Sequence, residues 1–134
     1  MGLDYGAQRV GVALSDGLGL MAHPYPFIPN TPSFWSVLDH FMTEHEVVGI
    51  VVGLPLALSG GETVQTGVVR DFIQELTDRV MLPVLTRDER FSTVAATQQL
   101  RHVNGKKRRQ MVDSQSAAFV LQGFLDAQST QVKD

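Results

Sequence analysis

The first third of the chain alternates apolar and polar side chains in the way that is typical of β-strands. Residues 2–5 form a short strand-like segment that ends at a glycine, and residues 9–15 alternate, with Val10, Val12 and Leu14 on one face. Residues 18–28 suit a third strand, which Pro24 and Pro26 either restrict to a sheet edge or break, because proline cannot donate a ladder hydrogen bond. The first two segments lie close enough in sequence to form a hairpin.

The period of the pattern then changes to that of a helix. Apolar residues within 34–42 fall on one helical face, and Thr31 and Ser33 just before them suit a helix N-cap. Residues 63–80 predict a second helix with a longer apolar stripe. The members of this stripe are Val64, Val68, Val69, Phe72, Ile73, Leu76 and Val80.

Strands and helices alternate along the rest of the chain. Residues 47–52 are rich in valine and isoleucine without alternation, which indicates a strand buried on both faces. Residues 83–86 predict a short strand, and residues 92–103 and 113–127 predict two more helices. This order predicts an α/β fold in which a mixed central sheet is flanked by helices on both sides.

The length and composition favour one globular domain. The chain has 134 residues, of which 43% are hydrophobic and 19% charged, enough for a core of its own. We expect the domain to cover residues 1–128, with a frayed tail at 129–134. The absence of cysteine excludes a disulfide scaffold, a thiolate metal site and a cysteine nucleophile, and it fits a reducing cytoplasm. We find no signal peptide or membrane-spanning run, so we expect a cytoplasmic protein without a membrane partner.

Acidic residues stand at the ends of predicted elements. Asp4 ends the first strand and Asp113 opens the last helix. Asp88 and Glu89 follow the strand at 83–86. Such positions can converge on one rim of an α/β sheet, where carboxylates repel each other unless a cation is bound. Oxygen ligands suit Mg²⁺ or Mn²⁺, and such sites commonly act on phosphate esters.

The same acidic residues also fit structural roles. Asp4 suits a turn, and Asp113 suits a helix N-cap. Asp88 and Glu89 suit exposed ion pairs with neighbouring arginines. The glycines that follow residues 47–52 suit either a phosphate-binding loop or a plain connection, and they do not match a P-loop.

One basic run offers a local contact for nucleic acid. The net charge of −3 excludes a general polyanion binder. The run precedes Asp113 closely, and we expect it in a loop, where adjacent cations suit a phosphate backbone. A solvated loop is the alternative. The run consists of Lys106, Lys107, Arg108 and Arg109.

Four segments together resemble the motifs of the YqgF/RuvX family, whose members are described as Holliday junction resolvases or pre-16S rRNA nucleases. The resemblance covers nearly the whole chain, with the motifs in the order and at the spacing of the family. The segments are Leu3-Asp4-Tyr5-Gly6 with Arg9-Val10-Gly11-Val12-Ala13, Val51-Val52-Gly53-Leu54-Pro55, Asp88-Glu89-Arg90-Phe91-Ser92-Thr93, and Val112-Asp113-Ser114-Gln115-Ser116-Ala117-Ala118.

The resemblance implies an RNase H-like fold with a catalytic carboxylate set. It assigns Asp4, Glu89 and Asp113 as catalytic residues that bind Mg²⁺ or Mn²⁺. It also implies that Arg9 and Arg90 lie at the site and contact nucleic acid. The chain departs from the family at residues 7 and 8, where Ala and Gln replace the common Thr and a basic residue, which puts substrate contacts in question.

Three functions remain open on this basis. The first is a metal-dependent nuclease that trims the 5′ end of pre-16S rRNA, with structured RNA and ribosomal particles as partners. The second is a Holliday junction resolvase for branched DNA, which needs a homodimer rather than a monomer to cut two strands symmetrically. The third is a non-catalytic nucleic-acid-binding module in ribosome assembly or transcription.

Overall fold

The structure, a computed structural model, describes residues 1–89 and 105–132, and it describes side chains in the second range for 114–128. The predicted helix at 92–103 lies outside the described residues. The elements, in chain order, are β1 (Gly2–Asp4), β2 (Arg9–Ser15), β3 (Ala22–Pro29), α1 (Phe34–Glu44), β4 (Ile50–Leu54), α2 (Val64–Arg79), β5 (Val84–Asp88) and α3 (Gly105–Val132).

The strands form one mixed sheet in the order β3-β2-β1-β4-β5. Strand β2 is antiparallel to both β1 and β3, whereas β4 is parallel to both β1 and β5. The C-terminal ends of β1, β4 and β5 therefore meet at one edge of the sheet. We call this the carboxyl edge, formed by the last residues of the three strands, Asp4, Leu54 and Asp88.

Large apolar side chains fill the layer between the sheet and helices α1 and α2. Each fully buried side chain of this size stabilises the fold by roughly 1.5–3 kcal/mol. Helix α2 begins with a capping box, in which Thr63 and Thr66 each accept a hydrogen bond from the other's amide, at 2.9 and 3.3 Å. The main members of this layer are Leu3, Val10, Val12, Val52, Phe34, Leu38, Phe72 and Leu76.

Small residues dominate the opposite layer, where helix α3 packs on the sheet. A Cβ atom built on Gly2 would lie 2.7 Å from the carbonyl oxygen of Ala117, so the helix backbone approaches the sheet more closely than a side chain there would allow. The apolar members of this layer are Ala13, Val51, Ala117, Ala118, Val120, Leu121 and Leu125. Helices on both faces of a mixed sheet confirm the predicted α/β architecture.

One buried and one half-buried polar contact join α3 to strands β2 and β3. The Val12 amide, beside a bulge in the β2–β3 ladder, donates to Ser114 Oγ at 3.2 Å. Gln122 accepts from the Ala22 amide and donates to the Leu20 carbonyl oxygen, both at 2.9 Å. These bonds tie both ends of the packed segment to strands that are distant in sequence.

Helix α3 is longer than its predicted counterpart. The predicted helix opened at Asp113, whereas α3 begins at Gly105. The basic run therefore lies in the first turns of a helix, and the predictions of a basic loop and of Asp113 as an N-cap are wrong. The physical reason is propensity, since lysine, arginine, glutamine and methionine, which fill residues 106–111, are all strong helix formers.

Other boundaries differ because local contacts overrule the sequence pattern. Strand β3 begins only at Ala22, since Asp16 folds the preceding segment into a turn that the Leu20 amide closes at 2.8 Å. In α2 the predicted stripe is partly wrong, because Val64 and Val68 are 88% and 41% exposed. Thr66 is buried instead, and its hydroxyl donates to the Pro55 carbonyl oxygen.

Strand β4 is shifted toward the C-terminus of the predicted strand at 47–52. It covers Ile50–Leu54 and is buried throughout, whereas Val48 is 84% exposed. None of the helices in the described part of the chain is long and apolar enough to span a bilayer.

Candidate active site

Asp4 ends strand β1 at the carboxyl edge and is half-buried. Its partner across the β1–β2 pair is Gly11, which has no side chain to compete for space. Asn30 holds the turn that follows Asp4. Its side-chain amide donates to the Gly6 carbonyl oxygen, and its backbone N–H donates to the Gln8 carbonyl oxygen, both at 2.9 Å. Asp4 therefore lies on a fixed strand end rather than on a loose loop.

Glu89 follows β5 directly and lies over the neighbouring strand. Its amide donates to the Leu54 carbonyl oxygen at 3.2 Å, which extends the β4–β5 pairing by one residue. A Cβ atom built on Gly53 would lie 2.6 Å from Glu89 Oε2 and 3.0 Å from Val120 Cγ2. The Glu89 carboxyl group thus occupies the space between β4 and α3 that Gly53 leaves open.

The two carboxyl groups interact directly. Burial raises the pKa of Glu89, the negative charge of Asp88 raises it further, and a side-chain hydrogen bond with Asp4 opposes the rise. Two ionised carboxylates in contact repel each other and can only accept hydrogen bonds, so a proton or a bound cation between them would relieve the repulsion. The predicted convergence of Asp4 and Glu89 is therefore present in the structure.

Asp113 lies on the backbone of α3, and its side chain is outside the described set. Ala117 lies against Gly2, and Ser114 bonds Val12, the partner of Leu3 in the ladder. Toward its N-terminus, α3 therefore runs along β1 in the direction from Gly2 to Asp4. Among the side chains that the structure describes, which exclude Asp113, no three acidic, histidine or cysteine groups form a metal cluster.

The predicted basic residues are only partly described. Arg9 begins β2 on the same strand face as Gly11, the partner of Asp4, and its guanidinium lies 5.4 Å from the centre of the Phe27 ring. It is exposed near the carboxyl edge. Arg90 lies outside the described residues. Lys106, Lys107, Arg108 and Arg109 lie on the first turns of α3, where only the backbone is described.

The sequence pattern suggested Arg87 only as an ion-pair neighbour of Asp88 and Glu89, and not as a residue of the site. Arg87 lies in β5 opposite Gly53, and its guanidinium packs on α3 at Gly123. Strand alternation could have revealed it, because Arg87 is two residues before Glu89 and such residues share a face. The contact between Ser114 on α3 and Val12 on β2 was not predicted either, because a buried serine on a helix carries no sequence signal of its partner.

A five-stranded mixed sheet with helices on both faces and carboxylates at the carboxyl edge defines an RNase H-like α/β protein, as predicted. The family model described as "RuvX: Holliday junction resolvase" matches residues 1–127. The chain therefore belongs to the RuvX family.

Three curated relatives are each named "Putative pre-16S rRNA nuclease". The protein from Myxococcus xanthus (strain DK1622) is 41% identical over 131 residues, which cover 95% of this chain and 87% of that protein. The protein from Sulfurihydrogenibium sp. (strain YO3AOP1) is 34% identical over 128 residues, 94% of this chain and 88% of that protein. The protein from Maridesulfovibrio salexigens is 37% identical over 129 residues, 93% of this chain and 96% of that protein.

Proposed function

We propose that this protein is a metal-dependent nuclease that processes the 5′ end of pre-16S rRNA in ribosome biogenesis. The observation that carries the proposal is the Asp4–Glu89 carboxyl pair over Gly53, at the carboxyl edge of an RNase H-like sheet. The names of the curated relatives support RNA as the substrate. Such a substrate implies a cytoplasmic protein with ribosomal particles among its partners.

The residues at the carboxyl edge fit a divalent cation, Mg²⁺ or Mn²⁺. Asp4 and Glu89 are hard oxygen donors that interact directly. Burial and the negative charge of Asp88 raise the pKa of Glu89, and a bound cation would offset both effects. Asp113 on α3 would complete the set. When bound, the metal supplies positive charge that polarises a phosphodiester and lowers the pKa of water.

The surrounding residues would hold these carboxylates in place. Gly53 leaves the space that Glu89 fills, and Val120 covers it from α3. Asn30 holds the turn after Asp4. Strand pairing through β4 sets the distance between the ends of β1 and β5, where Asp4 and Glu89 lie. The basic run at the start of α3, with Arg9 and Arg90, would bind the nucleic-acid backbone, because its adjacent cations give a local positive charge on a chain whose net charge is −3.

A second candidate function is resolution of Holliday junctions. The description of the matching family model favours it. The same carboxylates would serve, but symmetric cleavage of two strands requires two active sites and hence a homodimer. Oligomeric state on junction DNA therefore separates this candidate from the first.

The deciding experiment compares cleavage of a 5′-extended 16S rRNA precursor with cleavage of a four-way DNA junction, in EDTA, Mg²⁺ or Mn²⁺. The variant is Asp4→Asn, and Asp71→Asn on the exposed face of α2 is the matched control. We expect RNA cleavage that requires metal, falls about 100-fold or more in Asp4→Asn and is unchanged in the control. Junction cleavage alone would favour the resolvase. Binding of RNA without cleavage in any metal would overturn the proposal in favour of a non-catalytic binding module.

A further inference from the structure

Arg87 lies on the same side of the sheet as the carboxyl pair. It is the partner of Gly53 in the β4–β5 ladder, and Gly53 is the residue over which Glu89 folds. Because alternate residues of a strand share a face, Arg87 and Glu89 both point toward α3. Its side chain is exposed, so solvent and ligands reach it.

The guanidinium of Arg87 packs against α3 at Gly123. A Cβ atom built on Gly123 would lie 2.8 Å from Arg87 Nε and 3.4 Å from both Cζ and Nη2. A glycine inside a helix costs roughly 0.5–1 kcal/mol relative to alanine, so the helix stability alone does not favour it. At this position the missing side chain lets the planar guanidinium lie against the helix.

The contact between Arg87 and Gly123 lies close to the carboxyl pair along α3. Glu89 touches the space beside Val120, and Arg87 touches Gly123, three residues further along α3 and about 4.5 Å along its axis. Within the described residues, the ion pairs join His40 to Glu44, Arg70 to Glu62 and Arg79 to Glu75, and none includes Arg87. Arg87 is thus a cation near the carboxylates with its charge available to an anion.

We infer that Arg87 binds a backbone phosphate of the nucleic-acid substrate, next to the phosphodiester that lies at the Asp4–Glu89 pair. A guanidinium suits this role because its fork of donors matches two phosphate oxygens and it stays charged. The inference rests on the proposed nuclease function and adds a specific substrate contact to it. Gly123 acts in this contact only by orienting Arg87.

The test measures binding of a labelled 5′-extended 16S rRNA precursor in EDTA at several salt concentrations, so that cleavage does not interfere. We expect Arg87→Gln to weaken binding about 10-fold and to lower the slope of log affinity against log salt by about 0.7, the value of one lost phosphate contact to a single strand. Arg70→Gln removes the same charge from α2, where Arg70 pairs with Glu62, and should change neither quantity by as much.

A second pair of variants tests the contact between Arg87 and Gly123 while keeping the arginine. Gly123→Ala should displace the end of the Arg87 side chain and weaken binding several-fold without unfolding the protein. Gly67→Ala in α2 is the matched control, because a Cβ atom there meets no atom within 4 Å. In the Arg87→Gln background, Gly123→Ala should have no further effect on binding.

The outcomes separate this inference from the proposed function. If wild type does not bind the RNA, the proposed function fails first. If wild type binds and Arg87→Gln leaves both affinity and salt slope unchanged, Arg87 makes no phosphate contact and the inference is wrong. An affinity loss with an unchanged slope would assign Arg87 a structural role only. Should Arg87→Gln fail to fold, Gly123→Ala carries the same test.

Discussion

The two faces of the central sheet are both buried, yet they are built from different side chains. Toward α1 and α2 the sheet presents large side chains such as Leu3 and Val52, which meet Leu38 and Phe72. Toward α3 it presents Gly2, Ala13 and Gly53. One face thus provides stability through buried area, and the other provides close helix approach and space for carboxyl groups.

Strand β1 shows how one short segment serves both purposes. Leu3 is fully buried in the layer beneath α1 and α2, and Asp4, the next residue, points to the other side, where it bonds Glu89. The small-residue face also holds Ser114 and Ser116, two of the three buried polar residues within the described part of the chain. Separation of the two roles by face allows a charged site to form beside an intact apolar core.

The largest expected effect concerns the large-residue face. Leu38→Ala removes a fully buried side chain from α1 and should lower the free energy of unfolding by about 2–5 kcal/mol, because a cavity remains. Urea unfolding measures the loss, and Val37→Ala is the control, since Val37 is 44% exposed. Activity per folded molecule should stay unchanged. Equal losses in the two variants would contradict the assignment of this layer as the main core.

The next effect concerns the small-residue face. Gly53→Ala places a Cβ atom where Glu89 Oε2 lies, so the carboxyl group must move while the fold persists. We expect nuclease activity to fall about 100-fold, or about 2.7 kcal/mol in transition-state stabilisation. Steady-state cleavage of the RNA precursor measures it, with Gly17→Ala as the control because a Cβ there meets no atom within 4 Å. Full activity in Gly53→Ala would show that the placement of Glu89 is not needed.

The polar contact between α3 and the sheet should have a smaller effect. Ser114→Ala leaves the buried Val12 amide without its side-chain acceptor and should cost about 1–3 kcal/mol of stability. Chemical denaturation compares it with Ser36→Ala, which removes an exposed hydroxyl that donates to the Ser33 carbonyl oxygen. A loss no greater than that of Ser36→Ala would mean that another group satisfies the Val12 amide.

The smallest effect is a pH dependence of stability from Glu89. Because its pKa is raised above the usual 4.5, the folded protein takes up this proton more readily than the unfolded chain. Stability from this group is therefore present at low pH and lost as pH rises above 4.5 through the folded pKa. Glu89→Gln should be more stable than wild type at neutral pH in EDTA, because it removes the buried negative charge.

The difference between Glu89→Gln and wild type should vanish as pH falls below 4.5, the ordinary glutamate value. Urea unfolding across this pH range, in EDTA throughout, measures it. Glu75→Gln on the exposed face of α2 is the control and should show no such trend. A destabilised Glu89→Gln at neutral pH would contradict the raised pKa.

Sequence reasoning succeeded where one segment decides its own structure. The alternation over residues 9–15 matches β2 (Arg9–Ser15), and the 63–80 pattern matches α2 (Val64–Arg79) to within a residue at each end. It failed at Val64 and Val68, whose apolar side chains satisfy the helical period but face solvent. The helical period alone does not show which residues of a broad apolar stripe pack against another element, because the position of that element depends on residues distant in the sequence.

The same limit applies to the candidate site. Acidic residues at strand ends predicted that Asp4 and Glu89 would converge, and the parallel β1-β4-β5 register brings them together. Of the glycines that adjoin the site, Gly53 was noticed only as a loop or motif residue, and Gly123 was not singled out. Their role depends on what approaches: the Glu89 carboxyl group at Gly53, and the Arg87 guanidinium at Gly123.

The sequence by itself determined the α/β class, the family and the acidic residues proposed for the site, and it kept the proline-containing segment out of the centre of the sheet, since these depend on local periodicity, backbone chemistry and motif spacing. Only the tertiary structure decided that Glu89 is buried against Gly53 and bonded to Asp4, that α3 is joined to β2 through Ser114, and that Arg87 rests on Gly123. These contacts join residues far apart in the chain, and their geometry follows from strand register and helix packing.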